Sequence, residues 1–103
     1  MEVYFKNSNL EKLYEGLPVT GKLRYNKEVV EKFRIKVDIL KNAENTTELR
    51  ALRSLNFEAL KGDKKGLYSI RVDLKYRLEF TIEKNKIQLS EIIFIEDLSN
   101  HYK

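Results

Sequence analysis

The sequence predicts an α+β domain, with N-terminal helices packed on one face of a small antiparallel β-sheet. Two observations carry that expectation. The apolar period is about 3.6 residues in the first half of the chain and changes to 2 near residue 68. The chain has 103 residues, 42% of them hydrophobic, which is enough for one domain and too little for two. Helices first and a meander of strands second is the order that segregates helices to one side of a sheet.

Val3-Tyr4-Phe5 reads as a short strand. Ser8 then stands where an N-cap would, with Glu11 three residues on, ahead of Leu10, Leu13 and Tyr14 at helical spacing. Gly16-Leu17-Pro18 ends that helix. A second, longer helix starts after Asn26, with Val30, Phe33, Val37 and Leu40 on one apolar stripe. Thr47 to Leu55 reads as one more helical piece, its Leu49, Leu52 and Leu55 three residues apart.

In the second half, Tyr68, Ile70 and Val72 alternate with Ser69, Arg71 and Asp73. Tyr76, Leu78, Phe80 and Ile82 alternate with Arg77, Glu79 and Thr81. Lys84-Asn85 is a tight-turn candidate, after which Ile87 and Leu89 resume the alternation. Parity then shifts, because Glu91 takes the inward slot while Ile92 and Phe94 are apolar. Either a bulge near Ser90 and Glu91 re-aims the strand or the strand is covered on both faces.

Composition removes several kinds of chemistry. The chain has no cysteine and one histidine, so disulfides, thiolate nucleophiles, iron–sulfur clusters and cysteine or multi-histidine metal sites are excluded. The first residues lack the apolar core of a signal peptide, and no run approaches the ~18 apolar residues of a membrane span. A cytoplasmic protein with no membrane partner is the expectation. The net charge of +4 is unevenly placed. Residues 50–77 carry eight Lys and Arg against three Asp and Glu, whereas residues 79–97 carry two against five. A middle block this basic suits either a polyanion such as nucleic acid or an ordinary solvated face.

Strand arithmetic brings two arginines together. A three-residue loop at Asp73-Leu74-Lys75 pairs Val72 with Tyr76, Ile70 with Leu78 and Tyr68 with Phe80, so that apolar residues face apolar residues. A two-residue loop pairs Arg71 with Leu78 and breaks both faces. The three-residue register sets Arg71 directly opposite Arg77, a like-charge pair that costs up to about 1 kcal/mol unless both heads are solvated or an anion lies between them. Phosphate would match the guanidinium fork.

The segment Glu58-Ala59-Leu60-Lys61-Gly62-Asp63-Lys64-Lys65-Gly66-Leu67-Tyr68-Ser69-Ile70-Arg71-Val72 resembles the central signature of the RelE/ParE superfamily of bacterial toxins. Its nearest branches are HigB and YoeB, where an L-K-G-D/N-x-x-G-x-W/Y-S turn leads into a strand ending in arginine. Tyr76-Arg77-Leu78-Glu79-Phe80 resembles the next family strand, and Asn100-His101-Tyr102 the histidine–tyrosine ending of the ribonuclease members. The resemblance covers Glu58 to Tyr102.

It implies a RelE-like fold over residues 1–103 and the toxin half of a type II toxin–antitoxin pair. Such toxins cut messenger RNA in the ribosomal A site and are held inactive by a cognate antitoxin, here one expected to be a helix-turn-helix, HigA-like protein. The reaction is transesterification by the RNA 2′-hydroxyl, which needs a base, an acid and a cation but neither metal nor cofactor. The resemblance places Glu58 on the catalytic glutamate of the YoeB branch and Arg77 on the phosphate-binding arginine. It places His101 on the terminal general acid and Tyr102 on the tyrosine after it. Imidazole titrates near pH 6.5 and can donate a proton at neutral pH, and tyrosine can stack on a base. Neighbours in an extended strand point to opposite faces, so His101 and Tyr102 can reach one site only from an irregular terminus.

The base is open between Glu58, Lys61 and Tyr102. Many HigB members carry histidine at the place of Glu58 and end in aspartate-tyrosine-histidine, an alignment that brings Asp97 into the site. Arg53, Lys61, Lys64, Lys65 and Arg71 are expected to contact RNA, Arg71 foremost. Two other classes fit less of the chain. One is a ParE-like inhibitor of DNA gyrase, which generally lacks the terminal histidine–tyrosine. The other is a non-catalytic RNA-binding module, in which the arginines matter but Glu58 and His101 do not.

Overall fold

The computed structural model describes residues 1–19, 21 and 24–100. Its first element, β1 (Glu2–Phe5), leads through Asn7 into α1 (Ser8–Glu15). The cap is Asn7 rather than Ser8: its Oδ1 accepts from the amides of Asn9 and Leu10, and Ser8 is already helical. Asparagine and serine cap comparably, so the residue whose backbone was extended decided the start. The second helix, α2 (Lys27–Asn42), begins at the expected cap, where Asn26 Oδ1 accepts from the Val29 amide. Its buried stripe is Val29, Phe33, Val37 and Leu40, with Val30 half-buried beside it. Tyr14 donates to Asp38 Oδ1 and Arg34 Nε donates to the Leu13 carbonyl, which ties α1 to α2.

The third helical segment divides in two. α3 (Thr46–Ala51) is followed by a 3₁₀ turn at Arg53–Leu55. Leu49 and Leu55 are buried, whereas Leu52, at the break, is 46% exposed. A spacing of three drifts around a 3.6-residue helix, so three leucines of that spacing do not share one face.

The sheet is completed by β2 (Glu58–Ala59), β3 (Tyr68–Arg71), β4 (Arg77–Asn85) and β5 (Ser90–Ser99), in the order β1-β5-β4-β3-β2. The β3–β4 hairpin has the register that the alternation predicts, with Tyr68 facing Phe80, Ile70 facing Leu78 and Arg71 facing Arg77. The Val72 amide donates to the Tyr76 carbonyl, and Asp73 Oδ1 accepts from the amides of Lys75 and Tyr76 to close the loop.

Three features of the sheet depart from expectation. β1 pairs with β5 in parallel, so the sheet is mixed. The β4–β5 turn lies at residues 86–89, not at Lys84-Asn85, and Ile87 and Leu89 stand 94% and 87% exposed instead of continuing the inward face. Asn85 drives that turn, its Oδ1 accepting from the amides of Ile87 and Gln88. The bulge is at Glu96 rather than near Ser90, because Glu79 faces Asp97 while Phe80 faces Ile95. That extra residue moves the inward set from Ile93 and Ile95 to Leu98.

The core joins the helical stripe to Ile70, Leu78, Phe80, Ile93, Ile95 and Leu98. Alternation then puts Ser69, Arg77 and Glu79 on the sheet face away from the helices. No helix among the described residues is long and apolar enough to cross a membrane.

Candidate active site

On that face the strand registers line up two polar rows. Glu58 faces Ser69, Ser69 faces Glu79, and Glu79 faces Asp97 across β2, β3, β4 and β5. In the adjoining row Arg71 faces Arg77, which faces Ser99. Ser69, Arg77, Glu79 and Ser99 are all buried, an unusual density of polar groups for one face of a small sheet.

Arg77 lies at the centre. Its Nε donates to Ser69 Oγ at 2.8 Å, and its Nη2 donates to the Asn56 carbonyl at 2.5 Å. The Asn56 carbonyl reaches the guanidinium because Asn56 sits in the left-handed region (φ 46°) after the 3₁₀ turn, a conformation that asparagine tolerates better than most residues. Buried charge requires such partners, since an unpaired guanidinium out of water costs several kcal/mol. Glu58 Oε2 lies 3.8 Å from Arg77 Nη2. That is an ion pair too long for a hydrogen bond. The Glu58 side chain is 48% exposed, so its carboxylate meets both the guanidinium and solvent.

Arg71 diverges from its cross-strand partner. It is exposed and its Nε donates to the Asp73 carbonyl at 3.3 Å, so the two guanidiniums part rather than stand head to head. Lys64, expected among the RNA contacts, donates through Nζ to Glu79 Oε2 at 2.6 Å. Lys61, Lys65 and Arg53 are exposed, Lys61 and Lys65 on either side of a 3₁₀ turn at Gly62–Lys64. Gly62 opens that turn and Gly66 follows it, at φ 64° and 98°, values that favour glycine, which accounts for the spacing of the two glycines in the signature.

Asp97 belongs to the first polar row, and its Oδ1 accepts from the Leu98 amide. Burial raises the Tyr25 phenol above its ordinary pKa, the negative charge of Asp97 adding to the effect. The Tyr25 hydroxyl donates to the Leu98 carbonyl at 2.9 Å. His101 and Tyr102 lie outside the described residues.

Sequence reasoning missed three groups that hold the site: Asn56, Ser69 and Glu79. Ser69 and Glu79 were within reach, because the register that opposes Arg71 to Arg77 also opposes Ser69 to Glu79 on the same face. Asn56 gave no signal, since its role rests on a backbone carbonyl.

The arrangement provides a buried, pre-oriented guanidinium beside a half-exposed carboxylate. Such a set can hold a phosphate and accept a proton next to it. The fold has solved counterparts. A YoeB/ParE toxin from Agrobacterium tumefaciens aligns with 99% of this chain and 100% of its own at 21% identity and a TM-score of 0.56. A YafQ mutant from E. coli aligns over 97% and 92% at 15% identity and a TM-score of 0.62. The YoeB–YefM complex from Staphylococcus aureus contributes a chain aligned over 99% and 98% at 24% identity and a TM-score of 0.59. None of the curated proteins compared with the chain matches it. The family model for the HigB-like toxin, described as the RelE-like toxin of the type II toxin–antitoxin system HigB, matches residues 3–92. That match spans most of the sequence, and the chain belongs to the HigB-like family of RelE-like toxins of type II toxin–antitoxin systems.

Proposed function

We propose that this toxin is a ribosome-dependent messenger RNA endoribonuclease that arrests translation without a metal ion. The observation that carries the reading is the Glu58 carboxylate 3.8 Å from the Arg77 guanidinium, half in solvent, on the sheet face away from the helices. In the reaction, the 2′-hydroxyl gives up its proton as its oxygen bonds to the adjacent phosphorus. The bond from phosphorus to the 5′-oxygen breaks, and that oxygen takes a proton from an acid. The products are a 2′,3′-cyclic phosphate and a 5′-hydroxyl.

Glu58 takes the first proton in this scheme. Arg77 binds the phosphate and offsets the charge that grows on its oxygens, as pre-oriented donors do most effectively where water is excluded. His101 supplies the second proton. Tyr102 stacks on a base, and Tyr102, Lys61 and Asp97 are the alternative bases. β5 ends at Ser99, which faces Arg77 across the ladder to β4. Arg53, Lys61, Lys65 and Arg71 contact RNA phosphates.

A cognate antitoxin accompanies a type II toxin, and the solved YoeB–YefM complex is one such assembly among the structural relatives. For this chain we place a helix-turn-helix, HigA-like antitoxin in that role, and the cytoplasm, where ribosomes work, as the site of action.

The chemistry is tested by adding the purified toxin to ribosomes translating a defined message and typing the new ends. Cyclic phosphate and 5′-hydroxyl ends support the scheme. New 5′-phosphate ends would contradict it, since they arise when water rather than the 2′-hydroxyl attacks phosphorus.

A further inference from the structure

Lys64 and Glu79 form the ion pair least expected from the sequence. Lys64 ends the 3₁₀ turn Gly62–Lys64, within a loop that hangs from the two-residue edge strand β2. Glu79 lies in the middle of the sheet, in β4, with its side chain 3% exposed. Within the loop, the Leu60 amide donates to the Leu67 carbonyl, Lys64 to Lys61, Lys65 to Gly62, and Leu67 to Lys64. An edge strand of two exposed residues holds its loop weakly. The bond from Lys64 Nζ to Glu79 Oε2, 2.6 Å long, crosses from this loop over β3 to the central strand.

We infer that the Lys64–Glu79 pair is a tether that fixes the loop over the polar rows, so that Lys61 and Lys65, on either side of the turn, are presented to the RNA backbone. Lys64 is thus a positioning residue. The buried carboxylate favours it because a carboxylate that deep is stabilised by a nearby cation, and Lys64 Nζ brings one to it from the loop. The inference rests on the proposed RNA-cleaving function and deepens it. The tether acts on binding, since Lys61 and Lys65 hold phosphates alike in substrate and transition state, and its loss raises KM while kcat stays close to the original.

The test compares Lys64→Met, Glu79→Gln and the double variant Lys64→Met/Glu79→Gln with the original toxin. The double variant removes both charges, so it keeps a testable protein if a single variant leaves an uncompensated charge and fails to fold. Two readouts are taken: hydrogen exchange at the Lys64, Lys65 and Leu67 amides, with Leu78 and Phe80 as internal controls, and kcat and KM for cleavage on translating ribosomes. Expected are exchange at least about tenfold faster in the loop alone, KM about tenfold higher with kcat within about threefold, and a double variant no worse than the worse single one. Unchanged exchange in the loop would overturn the tether. Additive effects on KM would overturn it too, because Lys64 would then contact RNA in its own right. If the original toxin cuts no RNA, the proposed function falls, and the exchange rates decide the tether by themselves.

Discussion

Arg71 and Arg77 face each other across the β3–β4 ladder, yet only Arg77 is buried, its guanidinium held by Ser69 Oγ and the Asn56 carbonyl while Arg71 turns to the Asp73 carbonyl. The like-charge opposition is relieved by parting the two heads. One becomes the fixed cation of the site and the other a surface group.

Arg77→Lys is therefore expected to behave almost like Arg77→Ala, although it keeps the charge. A lysine has no planar fork to bond Ser69 and the Asn56 carbonyl together. Cleavage on translating ribosomes should fall by about 10²–10³ in both variants, the usual loss on removing a pre-oriented electrostatic group. Arg71→Lys should stay within about fivefold of the original, as expected of one phosphate contact at the surface.

Glu58→Gln and His101→Gln test the two proton transfers. Each should slow cleavage by about 10²–10⁴, the usual contribution of a positioned acid or base. Both should leave ribosome binding close to that of the original toxin. The half-exposed position of Glu58 means that its variant should melt with the original protein. Full toxicity of Glu58→Gln would transfer the base to Lys61, Tyr102 or Asp97.

Leu49 and Leu52 look equivalent in the sequence, but the structure separates them. Leu49 is fully buried and Leu52 is 46% exposed at the break after α3. Leu49→Ala should cost about 2–5 kcal/mol in urea unfolding. Leu52→Ala should stay within about 0.5 kcal/mol.

Tyr25 makes stability fall at alkaline pH. Its phenol is raised above 10.0 in the folded protein, mainly by burial and then by Asp97. The neutral phenol therefore contributes stability that is fully present below pH 10 and is lost as pH rises through the folded-state value. Tyr25→Phe loses the bond to the Leu98 carbonyl, which should cost about 1 kcal/mol at neutral pH. Its urea midpoint should then fall less steeply than that of the original protein above pH 10.

The parts of this fold that were legible in the sequence are those governed by one-sided burial. The Tyr68–Phe80 and Ile70–Leu78 pairs could be read from alternation, because a slip of one residue would send every apolar side chain to the wrong face. Long-range pairing left no such mark, and nothing in Glu2–Phe5 announces a parallel partner in β5. Ile87 and Leu89 misled because they continue the alternation in spelling, while the Asn85 side chain had already turned the chain. The family signature singles out Glu58 and Arg77 as candidates, and the structure sets their side chains 3.8 Å apart. The Lys64–Glu79 bond was not legible in the sequence, since it links a loop to a strand through no periodicity at all.

The central claim is that this arginine-centred face cleaves messenger RNA. Its most direct test is to induce the toxin in bacteria and map the 5′ ends of transcripts, with gyrase supercoiling followed in parallel. The account predicts new ends inside translated reading frames, lost in Arg77→Ala, with supercoiling unchanged. Intact transcripts together with a loss of supercoiling would contradict it and make the chain a gyrase inhibitor.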